Sequence, residues 1–239
     1  MRCTVKQLLS FALSLLLCLS LVACGSCTGE PEIPPLSLTR TEDGAFRDEE
    51  NGITYRRAPD AYIPNRMLRR VYATCRYTAP AGGEANLSFF AIGEDSAQRY
   101  LVYADPEDFY PYYMIVADGQ ALLPLSGLDA SIIVICGTDE EFFWQTANVY
   151  DYVRTQAKID TVLSAFLLGS DTELPAGQPL RSVFLLFSSE TNTDYSYYIT
   201  YLEYGPGRTY LHDPSTDHTV LVDDALLDGY RLSFEDDAD

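Results

Sequence analysis

The chain has 239 residues, and its 35 acidic residues outnumber its 16 basic ones, giving a formal net charge of −19 at pH 7. An acidic surface is repelled by phosphate, so the composition argues against nucleic acid and anionic lipid as partners bound through charge. The length suits one domain or two small ones.

The first 24 residues are organised like a secretory signal peptide. Arg2 and Lys6 form a positive n-region, and an apolar segment at 8–22 follows. As a helix this segment reaches roughly 22 Å, less than the roughly 30 Å hydrocarbon core of a bilayer, which favours a cleaved signal over a membrane-spanning anchor. It closes with Leu21-Val22-Ala23-Cys24, a pattern that resembles the signal of bacterial lipoproteins.

This resemblance implies that residues 1–23 are removed and that the Cys24 thiol is lipidated. Removal takes away Arg2 and Lys6 and no acid, so the mature chain is still more negative. One acyl chain holds a protein only marginally, whereas two or three make the anchoring stable. We therefore expect a protein at the cell membrane, facing the extracytoplasmic side, with the membrane as a partner through Cys24.

Three regions follow the predicted signal. Residues 24–50 are rich in Gly, Pro, Ser, Thr and acids, so we expect a lipidated, flexible tether. Residues 51–234 carry the apolar patterns of a folded domain, either as one unit or as two subdomains that divide near 137–170. Residues 235–239 are predicted to form an acidic, solvated tail.

Short segments rich in Tyr, Phe, Val and Ile dominate the folded part, and Pro, Gly and Asp turns separate them. This pattern is typical of β-strands. The predicted strands lie near 52–58, 67–77, 86–92, 99–104, 112–117, 131–136, 182–188, 195–204, 208–212 and 218–222.

Two helical patterns lie between the sixth and seventh predicted strands. Thr138-Asp139-Glu140-Glu141 has the form of a capping box. Apolar residues then recur with helical spacing from Ile159 to Phe166, and Gly169 provides a stop. Because helices lie between blocks of strands rather than alternating with them, we predict an α+β fold with mostly antiparallel sheets and one or two helices between the strand blocks.

The segment 182–222 includes the run Tyr195-Ser196-Tyr197-Tyr198-Ile199-Thr200-Tyr201 and a hairpin from Tyr210 to His218. It resembles the C-terminal part of uncharacterised lipoproteins from Gram-positive anaerobes. This resemblance implies no activity, so no functional residue is transferred from it.

The two histidines, His212 and His218, flank a loop that begins with Asp213-Pro214. A metal site would need them to converge, but Asp-Pro fits the start of a type I turn, and Asp217 tolerates the left-handed conformation that closes such a loop. With Asp213 opposite His218, His212 pairs with Thr219 and the histidines lie on opposite faces. We predict a plain hairpin tip and no metal site.

Cys75 and Cys136 lie in predicted strands with apolar neighbours. They either form a disulfide in an oxidising compartment or stay free as small buried hydrophobic side chains. A chain of this length can bury enough apolar surface to fold without disulfides, which favours free thiols. Buried thiols in apolar surroundings are inert. No nucleophile elbow or phosphate-binding loop occurs, so we assign no catalytic residue and no cofactor.

Two groups of residues are candidates for binding. Three tyrosines share one face of the strand near 195–204 and belong either to a buried central strand or to an exposed aromatic face that recognises protein or glycan. Six arginines fall within 56–76 and either dock an anionic partner or neutralise nearby carboxylates. The binding candidates are Tyr195, Tyr197, Tyr201, Arg56, Arg57, Arg69 and Arg70.

These features together predict a membrane-anchored lipoprotein whose folded part is a non-enzymatic module that binds an envelope protein or a glycan. Two alternatives stay open. One is a cell-envelope hydrolase with two catalytic carboxylates distant in sequence, and the other is a structural accessory subunit.

Overall fold

The computed structural model describes residues 36–65, 71–78, 82–92, 99–103, 113–137 and 148–233. They form fourteen strands and one α-helix, α1 (Gln156–Leu168). The strands are β1 (Leu36–Arg40), β2 (Phe46–Asp48), β3 (Ile53–Arg57), β4 (Tyr62–Pro64), β5 (Val71–Thr78), β6 (Glu84–Ala91), β7 (Tyr100–Tyr103), β8 (Tyr113–Ala117), β9 (Ile132–Gly137), β10 (Val149–Val153), β11 (Arg181–Ser188), β12 (Tyr195–Glu203), β13 (Thr209–Asp213) and β14 (His218–Val222).

Seven strands close into a barrel in the order β1-β2-β3-β8-β7-β6-β5. Side chains alternate between the two faces of a strand, so in β5 Ala73 and Cys75 are buried while Arg76 is exposed. Large side chains such as Tyr55 and Phe89 join them in one apolar cluster. The barrel therefore encloses a packed core.

Strands β1 and β5 close the barrel as a parallel pair, and this closure is short. It has three residue pairs, from Leu36 opposite Ala73 to Leu38 opposite Cys75. However, β1 continues to Arg40, and β5 continues beside β6 as far as Thr78. Beyond Leu38 and Cys75 the two strands are no longer paired with each other.

The second sheet has the order β10-β9-β11-β12-β13-β14, with β4 beside the first half of β12. Strand β12 therefore has neighbours along both edges, β4 and β13 on one and β11 on the other. One face of this sheet packs with α1 into a single apolar cluster. Ile133, Leu185 and Ile199 on that face have no exposed surface.

The chain passes from the barrel to the second sheet between β3 and β4. Ala58 N donates to Met114 O of the barrel at 2.9 Å, and Ala61 O accepts from Tyr198 N of the second sheet at 2.9 Å. Side chains of both parts, including Val102 of β7 and Tyr195 of β12, share one apolar cluster. The barrel and the sheet consequently belong to one compact unit.

This architecture overturns the predicted α+β class. The described residues form a mostly β fold, in which a closed seven-stranded barrel stands beside a second sheet and one α-helix covers part of that sheet. The prediction was wrong because nothing in the strand pattern from residue 52 onward signals closure. Closure depends on β1 and β2, which lie in a segment with few apolar residues.

The folded unit also begins earlier than predicted, because β1 and β2 lie inside the range 24–50 that we assigned to the tether. Leu38 and Phe46 are 2% and 3% exposed in the barrel core. The buried Asp48 carboxylate accepts hydrogen bonds from the backbone of Glu50 and Asn51, which fixes the turn into β3. Only one face of each short strand is apolar, so the surrounding polar residues concealed both.

The sequence left open a division into subdomains near 137–170, and strands on either side of this segment are paired with each other. Strand β9 ends at Gly137, and β11 begins at Arg181, yet the two are paired in the same sheet with Val183 opposite Gly137. Both sides of the suggested boundary therefore belong to one sheet. The predicted tail at 235–239 lies outside the described residues.

Each of the ten predicted strands overlaps an observed strand, and α1 confirms the helical pattern from Ile159 to Phe166. The helix ends at Gly169 as predicted, but not through a left-handed conformation. Gly169 has φ −67°, and a β-carbon there would stand 2.8 Å from Val220 Cγ1, so close packing requires the glycine. The capping box at 138–141 lies outside the described residues.

Candidate functional site

Three predicted site residues, Cys24, Arg69 and Arg70, lie outside the described part of the chain. Lipidation of Cys24 therefore stays a prediction. Within the described ranges, no helix is long and apolar enough to cross a membrane.

Arg56 lies on β3 and is exposed, but two carboxylates already bind it. Its Nη1 is 2.6 Å from Asp43 Oδ2, and its Nε is 3.1 Å from Asp118 Oδ1. The hydrogen bond that Arg56 donates to Asp43, followed by the negative charge of Asp43, raises the pKa of the Arg56 guanidinium. Hydrogen bonds from Thr41 and then Arg56 lower the pKa of Asp43 to about 2.

Arg57, the next residue, is held in the same way. Its Nη2 is 2.9 Å from Asp60 Oδ1, and its guanidinium lies 3.7 Å from the centre of the Tyr113 ring. For both arginines the structure favours the interpretation that they neutralise nearby carboxylates.

Tyr195, Tyr197 and Tyr201 are buried, with exposures of 2%, 5% and 1%. The hypothesis that they form an exposed binding face is therefore wrong; they belong to a central strand covered on both sides. Their hydroxyls have internal roles: Tyr197 donates to Asp213 at 2.5 Å and Tyr201 donates to Glu203 at 2.9 Å. Burial and then these carboxylates raise the pKa of Tyr197 and Tyr201.

The predicted register of the histidine hairpin is confirmed, with Asp213 opposite His218 and His212 opposite Thr219. His212 Nδ1 lies 2.9 Å from Thr219 Oγ1, whereas His218 Nδ1 lies 3.0 Å from Asp171 Oδ1. The two imidazoles are thus on opposite faces of the sheet. Among the residues that the structure describes, no three His, Cys, Asp or Glu side chains group in a way that would hold a metal ion.

Cys75 and Cys136 are buried and free, in agreement with the interpretation that the sequence favours. Cys75 belongs to the barrel core, and Cys136 lies on β9 of the second sheet. Burial raises the pKa of both thiols, that of Cys136 to about 12. At neutral pH neither supplies the thiolate that a nucleophile requires.

The structure brings together a different set of polar side chains, around Arg99 at the start of β7. Two depressions, of about 400 and about 350 Å³, share Arg99 as a lining residue. We call this surface the Arg99 groove. The polar side chains on which its chemistry depends are Thr54, Arg99, Asp118, Gln120, Asn192 and Asp194.

Two backbone turns form the walls of the groove. In the turn after β8, Asp118 N donates to Thr54 O at 2.7 Å and Gln120 N donates to Ala117 O at 3.0 Å. Gly119 between them has φ 86°, a conformation that L side chains disfavour. These bonds fix the backbone positions from which the Asp118 and Gln120 side chains extend.

In the loop before β12, side chains cap the backbone. Ser189 Oγ accepts from Thr191 N and Asn192 N, and Asn192 Oδ1 accepts from Asp194 N at 3.3 Å. Asn65 N donates to Asp194 O at 2.9 Å and ties this loop to the end of β4. The second wall is therefore also held by hydrogen bonds.

An ion pair joins Arg99, at the start of β7, to the second wall. Arg99 Nη2 lies 3.2 Å from Asp194 Oδ2, with the side chains 44% and 22% exposed. Both groups thus stay accessible to a ligand while they fix each other's position.

Two buried tyrosines, Tyr100 and Tyr195, line the groove beside this pair, and the half-buried Tyr62 packs against Tyr195. Tyr195 packs edge-on against Tyr62 and Tyr100, with ring centres 5.7 and 5.6 Å apart. The Tyr195 hydroxyl accepts from Leu123 N at 2.9 Å, and the Tyr62 hydroxyl donates to Leu123 O at 3.1 Å. Tyr195, a predicted ligand-binding residue, thus lines the groove.

The groove alternates hydrogen-bond donors and acceptors in a small area. Arg99 offers a guanidinium, Asp118 and Asp194 offer carboxylates, and Gln120 and Asn192 offer carboxamides. Such a set suits a ligand rich in hydroxyl groups, because each hydroxyl donates one hydrogen bond and accepts others. Each carboxylate is already bound to a guanidinium, Asp118 to Arg56 and Asp194 to Arg99.

Sequence reasoning missed this site. Arg99 and Asp194 are 95 residues apart, and neither lies in a recognisable motif. The one available signal was the polar run 189–194 between two predicted strands, which reads as an ordinary loop.

Comparisons of the chain with models of protein families, with curated proteins and with solved structures gave no match.

Proposed function

We propose that the protein is a lipid-anchored, extracytoplasmic binding module whose Arg99 groove binds a neutral, hydroxyl-rich ligand, namely a glycan. The observation that carries this proposal is the Arg99–Asp194 pair, because a charged donor and a charged acceptor lie side by side on rigid walls. Hydrogen bonds to charged groups are among the stronger ones in proteins. A sugar with neighbouring hydroxyls engages both groups at once.

The charge balance of the groove supports a neutral ligand. Arg99 is matched by Asp194, and Asp118 is matched by Arg56, so neither sign is in excess there. The chain as a whole is strongly acidic, which disfavours anionic glycans at long range. The acidic surface leaves neutral sugars unaffected.

The anchor is proposed on the sequence pattern before Cys24. We expect the wild-type protein, expressed in a bacterium, to enter the detergent phase on phase separation, and the Cys24→Ala variant to stay in the aqueous phase. Equal partitioning of the two proteins would refute the anchor without affecting the groove.

The groove is tested by binding to a panel of neutral and uronic-acid-containing oligosaccharides. We expect Arg99→Gln to weaken binding of a neutral glycan about tenfold or more, since a hydrogen bond to a charged group contributes about 1.5–3 kcal/mol. Arg181→Gln is the matched control, because Arg181 forms a comparable half-exposed pair with Glu203 on the second sheet.

Three results would count against this proposal. The first is that no glycan binds. The second is that Arg99→Gln and Arg181→Gln weaken binding equally, and the third is that shortened sugars are released during the experiment. The last result would favour the hydrolase alternative. That alternative needs one of two carboxylates as a proton donor, whereas in this groove both carboxylates are bound to arginines.

A further inference from the structure

Leu123 gives the Arg99 groove an apolar contact beside its charged pair. It lines the depression of about 350 Å³ together with Arg99 and Asp194, and it is 43% exposed. A single exposed leucine is ordinary on a protein surface. This one, however, shares a depression with a charged donor and a charged acceptor, so a ligand bound to that pair would also meet an apolar surface.

Two tyrosine hydroxyls hold the backbone that carries this side chain. Leu123 N donates to the Tyr195 hydroxyl at 2.9 Å, and Leu123 O accepts from the Tyr62 hydroxyl at 3.1 Å. Tyr195 is itself 2% exposed and packs edge-on against Tyr62. The protein thus presents an apolar side chain at a fixed place, where a ligand meets it without rearrangement of the backbone.

An acetamido group has the chemistry that this arrangement recognises, because it combines an N–H donor, a carbonyl acceptor and a methyl group. Its amide bond is planar and trans, which places the methyl group on the same side as the N–H. A carboxylate beside an apolar side chain matches this edge of the amide. The carboxylate accepts from the N–H, and the methyl group leaves water for an apolar contact.

We propose that the glycan bound in the Arg99 groove is an N-acetylated amino sugar and that Leu123 determines this specificity. Asp194 accepts from the amide N–H at carbon 2 of the sugar, Arg99 donates to the neighbouring hydroxyl at carbon 3, and Leu123 contacts the acetyl methyl group. This inference rests on the proposed function, since it requires that the groove binds a glycan. It adds a preference that the charged pair alone does not supply, because a hydroxyl at carbon 2 would also donate to Asp194.

The test compares three trisaccharides by titration calorimetry on the full-length chain in mild detergent. Triacetylchitotriose carries an acetamido group at carbon 2 of each sugar, and cellotriose has the same linkage but carries hydroxyls there. An N-formyl analogue of triacetylchitotriose keeps the N–H and the carbonyl and lacks only the methyl groups. All three are neutral, so the net charge of the protein does not affect the comparison.

We expect saturable binding of triacetylchitotriose, about fourfold tighter than that of the N-formyl analogue, which is the factor for burying one methyl group. Cellotriose should bind no more tightly than the N-formyl analogue. Leu123→Ala should weaken the binding of triacetylchitotriose to a similar extent and leave that of the N-formyl analogue nearly unchanged. Leu180→Ala is the matched control, because Leu180 is 79% exposed but lines neither depression of the groove.

A second measurement needs no variant. Saturation-transfer NMR of triacetylchitotriose with the wild-type chain should give stronger transfer to the acetyl methyl protons than to the ring protons, because the methyl group is in contact with the protein. Circular dichroism of Leu123→Ala and Leu180→Ala shows whether each variant is folded.

Equal affinities for triacetylchitotriose and cellotriose, both lowered by Arg99→Gln, would overturn this inference and leave the proposed function intact. A preference for the acetylated sugar that persists in Leu123→Ala would also overturn it, because another part of the protein would then recognise the acetyl group. If neither trisaccharide bound at millimolar concentration, the inference would fail, and the wider panel of oligosaccharides would decide whether the proposed function fails with it.

Discussion

The hydroxyl of Tyr197 on β12 donates a 2.5 Å hydrogen bond to the carboxylate of Asp213, which is 3% exposed at the end of β13. The other oxygen of Asp213 accepts from Ser215 N at 2.8 Å, and Ser215 Oγ accepts from Ala61 N at 2.8 Å. These contacts connect the hairpin tip, the central strand and the segment that leads out of the barrel. One buried carboxylate thus joins three parts of the fold.

Replacement of Tyr197 by phenylalanine should lower the free energy of unfolding by about 1–3 kcal/mol, because it leaves a buried acceptor without its donor. Tyr210→Phe is the control: Tyr210 is 9% exposed on the neighbouring strand, and its hydroxyl has no hydrogen bond within the described part of the chain. Urea unfolding measures both variants. Equal destabilisation by the two would show that the bond to Asp213 is not what stabilises the fold.

The hairpin that carries Asp213 could be predicted because its signals are local. Asp213 and Pro214 fit a type I turn, and Asp217 has φ 58°, the left-handed conformation expected for it. Alternation of side chains then places His212 opposite Thr219. Turn chemistry and strand periodicity act within a few residues, so one sequence suffices to read them.

The barrel and the Arg99 groove could not be predicted in the same way. Closure depends on pairing Leu36 with Ala73, and the groove depends on bringing Arg99 to Asp194. Both are contacts between distant segments that no local pattern specifies. The tyrosines of β12 show a further limit, because Tyr195 has the same neighbours in sequence whether its strand is central or exposed.

Gly169 provides a test of packing at the end of α1. A β-carbon at this position would lie 2.8 Å from Val220 Cγ1 and 2.7 Å from Ala165 O, closer than real contacts. We expect Gly169→Ala to destabilise the protein by about 1–3 kcal/mol, the usual cost of overpacking. Thermal unfolding measures this effect.

Gly127→Ala is the matched control for that substitution, since the nearest atom to a β-carbon there is Pro124 Cδ at an ordinary 3.6 Å. We expect it to change stability by no more than about 0.5 kcal/mol. If Gly169→Ala left the stability unchanged, the end of α1 and β14 would be able to move apart at little cost in free energy.

The two buried thiols should be protected from reagents in the native state. Burial raises the pKa of Cys75 and Cys136, and both are 0% exposed. Peptide mapping after alkylation at pH 8 should therefore find both unlabelled in native protein and labelled in urea without reductant. Labelling in urea only after reduction would reveal a disulfide and contradict the free state.

We expect the stability of the protein at acid pH to depend on Asp171, which follows α1 and accepts a hydrogen bond from Thr219 N of β14. A hydrogen bond from Thr219 N, followed by one from His218, lowers the pKa of the Asp171 carboxyl below its ordinary value of 3.8. A lowered pKa means that the folded state binds this proton less tightly than the unfolded state does. The resulting stabilisation is present above about pH 4 and is lost as pH falls through the folded-state pKa.

We therefore expect Asp171→Asn to lower the urea midpoint at pH 6 but to leave it nearly equal to that of wild type at pH 2, because asparagine removes the charge and keeps an acceptor for Thr219 N. Asp129→Asn serves as the control: Asp129 is exposed and makes no hydrogen bond through its side chain within the described ranges, so the midpoints should match wild type at both pH values. A constant difference between wild type and Asp171→Asn across this range would contradict the linkage. It would mean that the loss comes from packing or hydrogen bonding, which do not depend on the proton, rather than from the charge on Asp171.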